Sequence, residues 1–287
     1  MDYNRFFSAD VPSFLRSPVR EIFRKVDLGA ICSFAGGYPA AVTFPTDQIP
    51  SLAATVLEKY GARALQYGAT QGVPELRAAI AARYGVPVSQ VQITTSSQQG
   101  IDVCSRVLLD PGDIVLAQSP VYLGALQSFK AYRARVEEVA TPSCHSEQSE
   151  ESPAKFIYVI PDFNNPSGET MTLEERKYVV DVARKYDLLI VEDTPYKNIR
   201  FNGETLPSMY SMAPERVIMV GTFSKTFVPG FRLGWIVAER EVIERVIVAK
   251  QSSDLCTPVF NQMVAARYLS SGAYDVNLKK TCALYKR

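Results

Sequence analysis

GTFSKTFVPGFRLGW, residues 221–235, is the stretch that decides how this chain is read. It follows directly on the β-branched apolar run VIMVG (217–221), and it carries two hydroxyls, Thr222 and Ser224, then Lys225, then Arg232 seven positions later. A lysine in a cleft beside another cation is pressed to release its proton, which leaves an amine able to attack a carbonyl and form an imine. The planar fork of Arg232 suits two oxygens of a phosphate, with Thr222 and Ser224 completing the cup. A nucleotide-binding Walker loop is excluded, because it needs Gly where Ser224 stands.

Along the rest of the chain, short apolar runs alternate with amphipathic segments, the pattern of an α/β fold with a mainly parallel sheet flanked by helices. Strands are expected at 114–117, 135–139, 156–160, 188–192, 217–221 and 235–238. A helix from Thr172 to about Tyr186 opens with a capping box, Glu175 standing three residues after Thr172. Others are expected over roughly 98–109, which Pro111-Gly112 stops, and over 74–83, with Pro74 in the first turn. Parallel sheets bind ligands beyond the carboxyl ends of their strands. Those ends carry Tyr122, Asn164 and Asn165, Asp193 and Tyr196, and Lys225, so four strands point at one crevice.

These residue types fit pyridoxal phosphate. Asp193, after LLIVE, can hold a pyridine nitrogen protonated, so that the ring draws electrons from a substrate carbanion. Tyr196 and Asn165 can donate to the phenolic oxygen, and Tyr122 can stack on the ring. In TTSSQQG (94–100) a helix begins near Ser97, so the backbone N–H groups around Gln98 and Gln99 favour an anion.

Together SSQQG, PDFNNPSG, VEDTPY and GTFSKTFVPGFRLGW resemble the class I/II (fold type I) aminotransferases that use pyridoxal phosphate, over roughly residues 30–270. The branch most similar is that of the 2-aminoadipate and broad-range enzymes, which share the Ser-Gln-Gln phosphate loop. The resemblance implies an aspartate aminotransferase-like large domain, with Lys225 as imine former and proton shuttle and Asp193 as ring-nitrogen partner. It gives Asn165 and Tyr196 as phenolate donors, Tyr122 as stacking ring, and Ser97, Gln98, Thr222, Ser224 and Arg232 as the phosphate cup. It also implies that Gly37 in SFAGGYP lies beside the substrate carboxylate. Tyr67 in LQYGATQG would reach the neighbouring subunit's phosphate, making the protein a homodimer. On the residues alone Tyr67 could equally pack a loop and Gly37 serve a turn.

The implied organisation is an N-terminal arm and part of the small domain (1–44), a large cofactor domain (45–260), and the start of a linker helix (261–287). The resemblance further implies that the small C-terminal domain, with the arginine for the substrate carboxylate, is largely absent from these 287 residues. The stretch TPSCHSEQSEESP (141–153) has no large apolar side chain and is read as a solvated loop standing where relatives carry a short helix.

Bulk properties agree with small-molecule chemistry. A formal charge of +1 gives no basic field for nucleic acid or anionic membrane, and no run approaches a membrane span or a signal peptide. Five cysteines without a Cys-x-x-Cys pair indicate a reducing cytoplasm rather than a disulfide framework. His145 is the single histidine, so no metal site is expected and acid–base work falls to Lys, Tyr, Asp or Glu. The function expected is transfer of an amino group between an amino acid and a 2-oxo acid. The alternatives are a lyase reaction on the same cofactor, an inactive truncated homologue that binds it, and a ligand-sensing regulator. The stretch before Ser33 is too short for the DNA-binding domain such a regulator needs.

Overall fold

The computed structural model describes residues 1–8, 36–139 and 154–287. The 141–153 segment, His145, Cys32 and Cys144 lie outside them, as does most of the N-terminal arm. One seven-stranded sheet organises the rest: β1 (Val91–Thr94), β2 (Ile114–Ala117), β3 (Arg135–Glu138), β4 (Ala154–Val159), β5 (Leu189–Asp193), β6 (Val217–Thr222) and β7 (Gly234–Val237). Their spatial order is β1-β7-β6-β5-β4-β2-β3. The run from β3 through β6 is parallel, whereas β7 is antiparallel to both of its neighbours.

All six expected strands are present within two residues of their expected ends. β1, VQIT, was not expected, because its two polar residues break the apolar signal. Gln92 is nonetheless wholly buried, its amide nitrogen donating to the carbonyls of Thr70 and Ile93. Those two bonds lower the cost of burying the amide, although Oε1 has no partner among the described residues.

The longer helices are α1 (Ile49–Tyr60), α2 (Pro74–Tyr84), α3 (Ser96–Leu108), α4 (Leu123–Ala131), α5 (Leu173–Lys185), α6 (Arg240–Asp254), α7 (Val259–Ser270) and α8 (Ala273–Tyr285). α5 starts with the expected capping box, Thr172 and Glu175 satisfying each other's backbone N–H. α2 ends on Gly85 in the left-handed region, where a residue without Cβ turns the chain freely.

Two apolar layers clamp the sheet. On one face Ile101, Val103 and Cys104 of α3, Phe129 of α4, and Ile243 and Val246 of α6 pack on Val115, Tyr158, Val191 and Val220. On the other, Val56 of α1, Leu76 and Ile80 of α2, Val179 of α5, and Met263 and Tyr268 of α7 cover Ile93, Ile157, Ile190 and Met219. Each fully buried aliphatic side chain contributes roughly 1.5–3 kcal/mol. The expected boundary at 261 falls inside α7, which packs on α1 and α2 as part of this core. No helix among the described residues is long and apolar enough to cross a membrane.

Candidate active site

The carboxyl ends of β2, β4, β5 and β6 open on the same side as the start of α3, and the expected residues gather there. Lys225 Nζ donates to the Gly37 carbonyl at 3.0 Å and lies 5.8 Å from the centre of the Tyr196 ring. Burial lowers the pKa of its amine, and the charge of Arg232 lowers it further. Asn165 Nδ2 donates to the Tyr196 hydroxyl at 3.4 Å. Burial pushes the Tyr196 phenol up to about 12, helped by the neighbouring Asp193 charge, so it is a donor at any physiological pH.

Asp193 ends β5 wholly enclosed. Its Oδ2 accepts from the Tyr158 hydroxyl at 2.8 Å, while Oδ1 is buried and has no partner among the described residues. Burial pushes this carboxyl up to about 7, opposed by the Tyr158 hydrogen bond and the nearby Thr194 N–H. The latter donates to the Val220 carbonyl, so it contributes through its dipole and leaves Oδ1 open. A buried carboxylate oxygen without a donor is expensive to keep, and such exceptions cluster at functional sites.

The hydroxyls expected to hold a phosphate lie where β6, β7 and α3 meet. Thr222 Oγ1 and Ser224 Oγ are 2.9 Å apart, and Thr222 also accepts from the Ser224 N–H. Ser96 stands 3.3 Å from Thr222 and 3.2 Å from Ser224, hydroxyl to hydroxyl. Ser96 was not among the expected residues, since α3 starts one position earlier than the sequence pattern indicates. It is held at φ 68°, a left-handed conformation that costs a non-glycine residue on the order of 1 kcal/mol.

Gly234 allows this arrangement. A Cβ there would lie 2.6 Å from the Ser96 carbonyl carbon and 2.7 Å from the Ser97 nitrogen. Ser97 and Gln98 occupy the first turn of α3. Gln98 keeps its side chain on the far wall, donating to the Gly124 carbonyl and accepting from the Tyr122 hydroxyl at 3.1 Å, which fixes the Tyr122 ring. Arg232, also left-handed at φ 53°, is exposed beside the cup. Tyr67 is not brought to the site of its own chain, and 78% of it faces solvent.

Tyr158 was likewise missed, being hidden in the apolar run of β4. So was the buried support of the 161–171 loop, where Arg176 and Arg200 converge on Asp162 at 2.9 and 2.7 Å and hold the segment that presents Asn164 and Asn165.

Comparison with known proteins decides the family. The description "Aminotransferase class I and II" matches residues 41–281. The chain belongs to the class I and II aminotransferases. It is 40% identical to aromatic-amino-acid aminotransferase 1 of Thermococcus litoralis, over all of this chain and 73% of that protein. It is 34% identical to the 2-aminoadipate transaminase of Thermus thermophilus, over all of this chain and 74% of the relative. The crystal structure of Pyrococcus horikoshii kynurenine aminotransferase, in complex with PMP, superposes at a TM-score of 0.92 with 38% identity. It covers 99% of this chain and 75% of that one.

This aminotransferase therefore works with pyridoxal phosphate, and its own atoms fit that group. The open Asp193 Oδ1 is a buried acceptor suited to a protonated pyridine nitrogen, the amine of Lys225 has its proton loosened, and a hydroxyl cup adjoins the N-terminus of α3.

Proposed function

We propose that Lys225 Nζ is the amine that binds pyridoxal phosphate covalently, and that the residues around it hold the cofactor as follows. Asp193 Oδ1 accepts from the ring nitrogen, Tyr196 and Asn165 donate to the phenolic oxygen, and Tyr122 stacks on the ring. Ser97, Gln98, Thr222, Ser224 and Arg232 take the phosphate. Bound there, the cofactor supplies the electron sink that makes an amino acid's α-proton removable. Burial and the charge of Arg232 lower the pKa of Lys225, which makes the Nζ proton easier to release and suits the amine to carry the α-proton. Asn165 and Gly37, whose carbonyl accepts from Nζ, are assigned to the substrate's carboxylate on this reading. The observation that carries the assignment is the unpartnered, enclosed Asp193 Oδ1 on the same wall as Lys225 and Tyr196.

The names of the relatives favour an amino acid with a large side chain, aromatic or 2-aminoadipate-like, as donor. A homodimer is proposed on Tyr67: an exposed tyrosine with exposed Leu65 nearby is accounted for if it enters a second copy's site. Cytoplasmic residence is inferred from the free thiols of Cys104, Cys256 and Cys282.

Borohydride treatment of the chain with pyridoxal phosphate, followed by peptide mass spectrometry, tests the central assignment. One cofactor mass on the peptide holding Lys225, lost in Lys225→Ala, is expected. A label on another lysine would overturn it. Sedimentation with and without cofactor tests the dimer.

A further inference from the structure

The first turn of α3 is supported from behind by groups with no part in the site described so far. Thr95 is its N-cap residue, a type that ordinarily accepts from the N–H groups one turn on, yet its side chain makes no such bond. Its hydroxyl donates instead to Asp254 Oδ2, at 2.9 Å. The same oxygen accepts from Gln99 Nε2 at 2.7 Å, and Gln99 Oε1 in turn accepts the Thr95 N–H at 2.7 Å. Asp254 is the last residue of α6, and its other oxygen is held by Lys250, one turn earlier, whose side chain is wholly buried. Thr257, also buried, closes the group 3.3 Å from the Thr95 hydroxyl.

Two physical facts give this cluster a purpose. A helix N-terminus offers unpaired N–H groups to an anion, and a capping side chain competes for them. By taking up the Thr95 hydroxyl, Asp254 leaves those N–H groups uncapped. A carboxylate near a phosphate site would by itself repel the anion, and the buried ammonium of Lys250 neutralises it. Burying a lysine is costly, and among the described residues its one salt-bridge partner is the group that grips the turn.

We propose that the Lys250–Asp254 ion pair is a positioning device for the phosphate: it holds Thr95 and Gln99 so that the first turn of α3 keeps its N–H groups free and aimed at the anion. This rests on the assignment of that turn to the phosphate made above. The pair touches no reacting atom, so its effect appears in how the cofactor is held.

The test compares pyridoxal phosphate with pyridoxal, which lacks the phosphate but forms the same borohydride-trappable link to a lysine. Dissociation constants are measured spectroscopically on the 287-residue chain and its variants, with thermal unfolding alongside. Asp254→Ala and Lys250→Met are expected to weaken pyridoxal phosphate by roughly tenfold, the loss of one charge-assisted hydrogen bond. The constant for pyridoxal should stay within about twofold, a change too small to represent a lost hydrogen bond. Asp254→Asn, which keeps the shape and one acceptor oxygen, should lie between wild type and Asp254→Ala and guards against a folding failure. Equal weakening of both compounds would reduce the pair to a general structural role, and unchanged binding of pyridoxal phosphate would remove it from the site; either result overturns the proposal. If the wild-type chain itself forms no trappable link with either compound, the site assignment fails first, and that outcome is distinct.

Discussion

Replacing Asp193 by asparagine separates what this carboxylate does for the fold from what it does for the cofactor. In the cofactor-free chain its pKa climbs from the ordinary 3.8 to about 7 because burial disfavours the charge. A raised carboxyl pKa means that the folded state binds the proton more tightly, so the stability it allows is present at low pH and lost as pH rises through the folded value. At about 1.4 kcal/mol per pH unit of separation, the full penalty above pH 7 is about 4 kcal/mol, of which roughly 2–3 kcal/mol is lost between pH 5 and pH 8. The substituted side chain carries no charge, but it places an amide where Oδ1 has no partner, which returns a cost of about 1–3 kcal/mol. Asp193→Asn should therefore be about 1–3 kcal/mol more stable than wild type at pH 8 without cofactor, and its urea midpoint should be flatter between pH 5 and pH 8. Pyridoxal phosphate must have the opposite effect, stabilising wild type strongly and the variant weakly, because only a carboxylate favours the protonated pyridine nitrogen by its charge. Urea titrations at both pH values, with and without cofactor, measure all four quantities. Parallel pH profiles for the two proteins would refute the claim that Asp193 is a strained, waiting acceptor.

Tyr158→Phe removes the hydroxyl that donates to Asp193, which raises the carboxyl's pKa further and leaves less carboxylate at neutral pH; cofactor affinity, read by absorbance titration, should fall roughly tenfold. Gly234→Ala forces a Cβ against the Ser96 and Ser97 backbone, and the displacement of α3 should destabilise the chain by about 1–3 kcal/mol in urea while weakening the phosphate-bearing cofactor more than pyridoxal. Arg176→Met strips a wholly buried guanidinium from Asp162 and from the carbonyls of Pro161, Met171 and Pro207, and a loss of about 3–5 kcal/mol is expected in the same assay. Lys225→Ala should leave urea stability within about 1 kcal/mol of wild type, since among the described residues this half-buried side chain bonds a carbonyl and no carboxylate, and it should abolish the trapped label.

The division between what could be read from the residues and what could not follows from the range of the forces involved. Strands such as IVLA and VIMVG declare themselves because parallel strands buried on both faces must be apolar throughout, and α5 declares its first residue because a capping box is a contact between positions three apart. The candidate site residues could be singled out for a similar reason: each strand end carries its own polar side chain, so Asp193, Tyr196, Thr222, Ser224 and Lys225 stand out without knowledge of how the strands are ordered. β1 was illegible because Gln92 is buried by bonds to Thr70, 22 positions away, and a local pattern cannot contain that. The antiparallel turn of β7 was hidden too, since four buried residues read the same in both directions. It matters for the site, because that reversal brings Gly234 against Ser96 and lets α3 close on the hydroxyls of β6. Ser96 itself was missed by one register step, the left-handed backbone being imposed by contacts across the sheet rather than by any preference of serine. The same limit hid Tyr158 and Asp254, which act through a residue 35 positions away in one case and 159 in the other. The groups proposed to bear the chemistry thus stand at strand ends where local rules apply, while the groups that would aim them are set by sheet order, which only the assembled fold supplies.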